Sequence, residues 1–246
     1  MIHEMERRVL EKADAVVTSA PCTKRDFSQK VSDEKIFVIE NGYDEQDFSL
    51  IDRTYTHNHH ELRIGYNGTT RAIEDPSILL KVVSELYQAG DITKDILTLT
   101  FTGSADIKLF KPFTELIDAG IVNISGYLPH SESLARLAEM DVSLLLLTKG
   151  RNIYLAKVFE YMYIGNPVFS LSTPGDELDR LITETGSGVV VDYRDKFAVR
   201  DELLRFIEMK KQGKLLRLSP SRKEISRFSR KIIAQRFAEI LDRISC

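Results

Sequence analysis

Val142-Ser143-Leu144-Leu145-Leu146-Leu147, a helical pattern over Leu155 to Ile164 closed by Gly165, and then Pro167-Val168-Phe169-Ser170-Leu171 together decide the fold class. An almost unbroken apolar run of strand length is the pattern of a strand covered on both faces, as in a parallel sheet. Two such runs joined by a helix make a βαβ unit, and the pattern continues in both directions.

Upstream, Leu62-Arg63-Ile64-Gly65-Tyr66 reads as a strand, with Asp75 as N-cap and Pro76 as the first residue of a helix. Ile78, Leu79, Val82, Val83 and Leu86 form the apolar stripe of that helix. Ile96 to Phe101 and Ile121 to Ser125 read as strands, with helices over Pro112 to Ala119 and Ser131 to Met140. Downstream, Asp176 to Glu184 is helix, Gly188 to Val191 is strand, and two long helices follow. Six strands alternating with helices after residue 61 predict an α/β fold with a doubly wound parallel sheet, in which ligands bind at the carboxyl ends of the strands.

Before residue 46, helical spacing over Ile2 to Lys12, the run Ala15 to Thr18, a short helix over Pro21 to Lys30 and the β-branched run Lys35 to Glu40 predict a smaller α/β piece ending at the turn signal Asn41-Gly42. Asp44 to Glu61 lacks apolar periodicity and reads as a linker; its His57, His59 and His60 read as residues of a solvated loop rather than as metal ligands.

Composition supports a soluble globular chain: 246 residues, 43% hydrophobic and 29% charged, with no apolar window approaching the roughly 18 residues a membrane span needs. A charged start and two distant cysteines, Cys22 and Cys246, predict a reduced, cytoplasmic setting. The net charge is −3, yet Lys210 to Arg236 holds ten basic residues and one acidic one. That stretch reads first as a solvated helix face, with an anionic membrane surface or nucleic acid as the alternative.

Two loops can carry chemistry. Gly65-Tyr66-Asn67-Gly68-Thr69-Thr70-Arg71 places glycines and an arginine just after a strand, which suits a phosphate, though a tight strand-to-helix turn accounts for it equally. In Lys149-Gly150-Arg151-Asn152-Ile153-Tyr154-Leu155-Ala156-Lys157-Val158-Phe159-Glu160, the residues Lys157 and Glu160 lie about 60° apart on the arc opposite the apolar stripe. A carboxylate there can accept both ribose hydroxyls and a lysine can pair with a phosphate. From spacing alone a surface pair, contributing about 0.2–0.5 kcal/mol, is the simpler account.

The run Lys157-Val158-Phe159-Glu160-Tyr161-Met162 with Gly165 and Pro167-Val168 resembles the K-x-x-E-Y signature of GT-B-fold glycosyltransferases of the retaining family four type. Ala13 to Ser19, Val38 to Asp44, Gly126-Tyr127-Leu128-Pro129 and Ala138 to Ser143 resemble further segments of that family, in the family's order, so the resemblance covers nearly the whole chain. It implies a Rossmann-like GT-B C-terminal domain with a partial N-terminal α/β piece: residues 1–45 as the end of an acceptor-side domain, 46–61 as linker, 62–220 as the nucleotide-sugar-binding domain, and 221–246 as a helix packing back across the junction. It also implies a nucleotide-diphosphate sugar as substrate, a glycan or lipid-linked acceptor, retention of configuration, no metal, no cofactor and no nucleic-acid partner. The basic C-terminal region would meet a membrane surface or a protein, placing the chain peripherally at the inner face of the membrane.

On the same resemblance, Glu160 holds the ribose and Lys157 and Arg71 meet the departing diphosphate. Asn67, Gly68 and Thr69 approach the phosphates, Gly103, Ser104, Tyr127 and Leu128 line the base pocket, and Arg151, Asn152 and Ile153 meet the sugar. The sequence departs from the family at Asn152, where a glutamate is usual, and at Thr69 and Glu74-Asp75, near the usual arginine and lysine positions. These departures leave a non-catalytic nucleotide-sugar-binding module, or a subunit needing a partner, as the second expectation.

Overall fold

The computed structural model describes residues 2–52, 59–148 and 155–245. The N-terminal piece contains helix α1 (Ile2–Lys12), strand β1 (Val16–Thr18), helix α2 (Pro21–Ser28) and strand β2 (Ile36–Val38), with β1 and β2 paired in parallel. The larger unit follows as β3 (Leu62–Asn67), α3 (Ser77–Gln88), β4 (Leu97–Thr102), α4 (Ile107–Phe110), α5 (Thr114–Asp118), β5 (Val122–Gly126), α6 (His130–Ala138) and β6 (Val142–Leu146). It continues with α7 (Lys157–Ile164), β7 (Val168–Ser172), α8 (Glu177–Thr185), β8 (Gly188–Asp192), α9 (Lys196–Lys211), α10 (Arg222–Ile225) and α11 (Arg230–Ser245).

The six strands β3 to β8 form one parallel sheet in the order β5-β4-β3-β6-β7-β8. Counted from β3, this is the 3-2-1-4-5-6 order of a doubly wound nucleotide-binding sheet, and it reverses between β3 and β6. The chain makes the reversal through α6, which crosses from the edge strand β5 to the central β6.

Period-2 alternation sorts the apolar strand residues between two cores. Val142, Leu144 and Leu146 of β6 join Phe169 and Leu171 of β7 beneath α3 and α9. Leu145 and Leu147 join Val168 beneath α6, α7 and α8 on the other face. This double coverage is why the run reads as continuously apolar rather than alternating. Helix α7 drives Val158, Phe159, Tyr161 and Met162 into the second core. Burying each of the aliphatic and aromatic side chains stabilises the fold by about 1.5–3 kcal/mol.

Local signals set the element ends. The Asp176 carboxylate accepts from the amides of Leu178 and Asp179 at the start of α8, and Asp195 accepts from Ala198 at the start of α9. The helix expected over Pro112 to Ala119 covers only Thr114–Asp118 and is the last of three short helical pieces, α4, a 3₁₀ turn at Lys111–Phe113 and α5. Asp106 starts the first of them by accepting from the Lys108 amide at 3.1 Å.

The segment expected to be an unstructured linker is anchored at both described ends. Phe48 is buried, 4.3 Å from the Tyr163 ring centroid, and Tyr43 packs on Tyr163 at 4.4 Å. His59 is not a solvated loop residue: its Nε2 lies 2.9 Å from Asp141 Oδ2, and its side chain is 9% exposed. A buried carboxylate 82 positions away in the sequence recruits it. His57 lies outside the described residues. Helix α11 returns to the N-terminal piece, where the Arg236 guanidinium donates to the Val38 carbonyl at 2.7 Å and to Glu40 at 3.1 Å. Within the basic stretch, Lys210 pairs with Asp141, Arg227 with Glu184 and Arg230 with Asp44. Part of its charge is thus held by carboxylates of the same chain. No helix among the described residues is long and apolar enough to cross a membrane.

Candidate functional site

The carboxyl ends of β3, β4 and β5 are stitched together by backbone hydrogen bonds. Gly68 N donates to Thr102 O at 2.8 Å, Gly103 N to Gly126 O at 2.7 Å, and Thr70 N to Ser104 O at 3.0 Å. Gly103 has φ +122°, and a Cβ there would fall 2.1 Å from the Gly68 carbonyl oxygen. Only glycine lets these two strand ends approach so closely. Gly68, at φ +137°, is open for a different reason: its missing Cβ leaves room for the Lys157 ammonium, which would lie 2.6 Å from it.

Lys157 opens α7, the helix that follows β6, so it sits where the strand order reverses. Its Nζ donates to Glu74 Oε1 at 2.5 Å and to the Tyr66 hydroxyl at 3.2 Å, and lies 4.6 Å from the Tyr66 ring centroid. Glu74 also takes Arg71 Nε on its second oxygen at 3.1 Å. The Tyr66 hydroxyl is 3.1 Å from both Glu74 Oε1 and the Thr69 carbonyl, with one proton to give to either. Burial pushes the Lys157 ammonium below its ordinary range, while Glu74 opposes that shift. Burial first, and then the Glu74 charge, push the Tyr66 phenol well above its usual value, so it remains a neutral donor.

Glu160, one turn further along α7, is served from another direction. His130 Nε2, at the start of α6, lies 3.0 Å from Glu160 Oε1, and His130 Nδ1 lies 3.9 Å from Asp47 Oδ2. Burial raises the Glu160 carboxyl above the usual carboxylate range, with His130 pulling the other way. On the other side of Lys157 around the helix is Tyr161, fully buried, whose hydroxyl accepts from Asn67 N at 3.1 Å and pins α7 to the end of β3.

The expected site residues therefore divide. Gly68, Arg71 and Lys157 gather around Glu74, with Gly103 directly beneath Gly68. Glu160 shares their side of α7, close enough for its charge to favour the Lys157 ammonium. Asn67 turns its amide to the Ser133 carbonyl at 2.6 Å, so its side chain is committed to α6. Thr69 and Ser104 are exposed on the rim, Tyr127 is 82% exposed and Leu128 is half-buried after β5. Arg151, Asn152 and Ile153 lie outside the described residues. Sequence reasoning did not assign His130, Tyr66 or Tyr161 to the site and saw Glu74 only as a departure from a motif. The signal for Tyr161 was its position i+4 from Lys157, on the helix side that faces β3.

The described residues include no group of three or more His, Cys, Asp and Glu side chains placed to hold a metal ion. A cavity of about 970 Å³ runs between the N-terminal piece and α11 and reaches Ala156 at the threshold of α7.

No protein-family model matches the sequence, and no curated protein matches it. Solved structures do. HepE of Anabaena, in complex with UDP-glucose, superposes with a TM-score of 0.68 at 17% identity over 94% of this chain and 64% of its own. A glycosyltransferase of Rickettsia africae gives 0.71 at 13% identity, covering 97% of this chain and 66% of its own. Sucrose-phosphate synthase of Thermosynechococcus elongatus gives 0.69 at 16% identity, covering 97% and 60%. The fold is the GT-B fold these proteins share. The chain spans less than two thirds of the length of each of them.

Proposed function

We propose that the chain binds a nucleotide-diphosphate sugar at the carboxyl ends of β3 and β6 and transfers the sugar to a glycan or lipid-linked acceptor. The carrying observation is Lys157, which opens α7 where the strand order reverses and lies against Gly68 at the Gly68–Gly103 contact, with Glu160 less than one turn further along the same helix. Solved relatives of this fold bind UDP or UDP-glucose, which fits a ligand with a base, a ribose and two phosphates. In this reading the Glu160 oxygens accept the two ribose hydroxyls, and Lys157 with Arg71 stabilises charge on the departing diphosphate. Gly68 and Thr69 approach the phosphates, with Asn67 fixing the loop behind them. Gly103, Ser104, Tyr127 and Leu128 border the base, and Arg151, Asn152 and Ile153 meet the sugar. The residues 62–220 form the donor-binding unit. Transfer retains configuration without a metal or cofactor, in the cytoplasm, with the basic C-terminal region meeting the inner membrane face or a partner protein.

A second reading, a nucleotide-sugar-binding module without turnover, is favoured by Glu74, whose negative charge lies between the two cations assigned to the leaving group. Calorimetric titration with UDP, GDP and ADP tests what the readings share. Saturable binding of at least one, weakened at least tenfold by Glu160→Ala, is the expected outcome; no saturable binding of any of them overturns both readings. Release of sugar from the matching donor then selects the enzyme.

A further inference from the structure

We propose that Glu74 is a built-in competitor of the substrate: its carboxylate occupies the subsite that the donor diphosphate must enter. The inference rests on the nucleotide-sugar reading and adds a control on that site. The two cations assigned above to the diphosphate, Lys157 and Arg71, are both already engaged, one by each oxygen of the same carboxylate. That carboxylate is placed rather than incidental. Its side chain is 4% exposed, and the backbone around it closes a tight turn in which Glu74 N donates to Arg71 O at 2.8 Å. Thr148 N, beyond β6, donates to the Ile73 carbonyl at 2.9 Å and holds the turn against the neighbouring strand end.

The electrostatics follow from the count of charges. Lys157 and Arg71 without Glu74 present two positive charges to an anion; with it they present one, in a partly dry setting where like charges repel strongly. A diphosphate must displace the carboxylate from Lys157 or accept its repulsion. Either way part of the attraction is already used inside the protein, and the phosphates add little to donor affinity in the resting chain. Movement of the Arg71–Glu74 turn frees Lys157 on α7 from the carboxylate and carries Arg71 along with Glu74, to which it is tied through backbone and side chain.

The test compares the wild-type chain with Glu74→Gln, which keeps a hydrogen-bond acceptor for Lys157 and removes the charge. Both are titrated with the tightest-binding of UDP, GDP and ADP and with the nucleoside of the same base, and thermal melts check folding. Glu74→Gln is expected to bind the diphosphate at least tenfold more tightly and to leave nucleoside affinity within twofold. An unchanged or weakened diphosphate affinity, or an equal gain for the nucleoside, overturns the proposal while wild-type binding leaves the site reading intact. Absence of nucleotide binding by both proteins overturns both. The wild-type chain gives a reading that needs no variant: less than a tenfold gain from nucleoside to diphosphate is expected, and a larger one contradicts the competition.

Discussion

Two lysine–carboxylate pairs are buried at opposite ends of the same sheet, and they differ in what surrounds them. At the amino ends, Asp141 opens β6 and receives Lys210 Nζ at 2.8 Å, His59 at 2.9 Å and Arg63 N at 2.9 Å. Its carboxylate is 3% exposed, and the Lys210 and His59 side chains are 10% and 9% exposed. At the carboxyl ends, Glu74 is as deeply buried, but one of its partners, Arg71, is 61% exposed. Asp141 ties three distant segments together: the end of the joining segment, the start of β3 and the end of α9. Glu74 ties a surface turn to a helix start at the place where parallel sheets bind ligands. Equal chemistry thus stands at a junction of three segments at one end and, in the proposed function, at a ligand site at the other.

The largest effect expected from this contrast is on stability. Asp141→Ala leaves Lys210 buried without its carboxylate and is expected to cost about 3–5 kcal/mol in urea unfolding, with nucleotide affinity of the folded fraction unchanged. Loss of affinity at undiminished stability would break the comparison.

Lys157→Ala reverses the balance. Glu74 keeps only the exposed arginine and Tyr66, so stability falls by about 1–3 kcal/mol, while diphosphate affinity falls to about that of the nucleoside of the same base in calorimetry. A similar stability loss with affinity intact would make this pair a structural one like Asp141–Lys210.

Gly68→Ala introduces a side chain at φ +137° and presses on the far end of the flexible Lys157. The backbone strain is expected to cost about 1–3 kcal/mol by thermal unfolding, together with weaker diphosphate binding.

The smallest stability effect is that of Glu160→Gln, and its sign is opposite. Burial raises this carboxyl above its unfolded value, so its contribution is fully present below the unfolded pKa and is lost as pH rises through the folded one. The Gln variant is therefore expected to be at least as stable as wild type at pH 7, with the difference closing toward pH 4, while its nucleotide affinity drops. A variant less stable at pH 7 than at pH 4, relative to wild type, would contradict the assignment.

The alternation of strands and helices was legible because its signals are local: Gly120 and Gly165 stop helices in left-handed conformations, and Asp176 caps one. The strand order was not, because parallel partners meet across whole crossovers and nothing in β3 names β6 as its neighbour. The same separation hid the partners of the charged groups. Lys157 and Glu160 stood out as a pair from helical spacing, yet they reach different neighbours, Glu74 83 positions away and His130 30 positions away. His59 shows the converse, a polar loop residue that only tertiary packing turns into part of a buried cluster. Glu74 could be seen as a departure from a motif, but its hold on both cations needed coordinates.

Determining the structure of the chain with the tightest-binding nucleoside diphosphate tests the central claim most directly. The expected result places the ribose hydroxyls on Glu160 and the diphosphate between Gly68 and Lys157, with the Glu74 carboxylate drawn away from the ammonium. A nucleotide bound elsewhere, whether beside His59 and Asp141 at the amino ends of the strands or in the cavity along α11, would contradict the account.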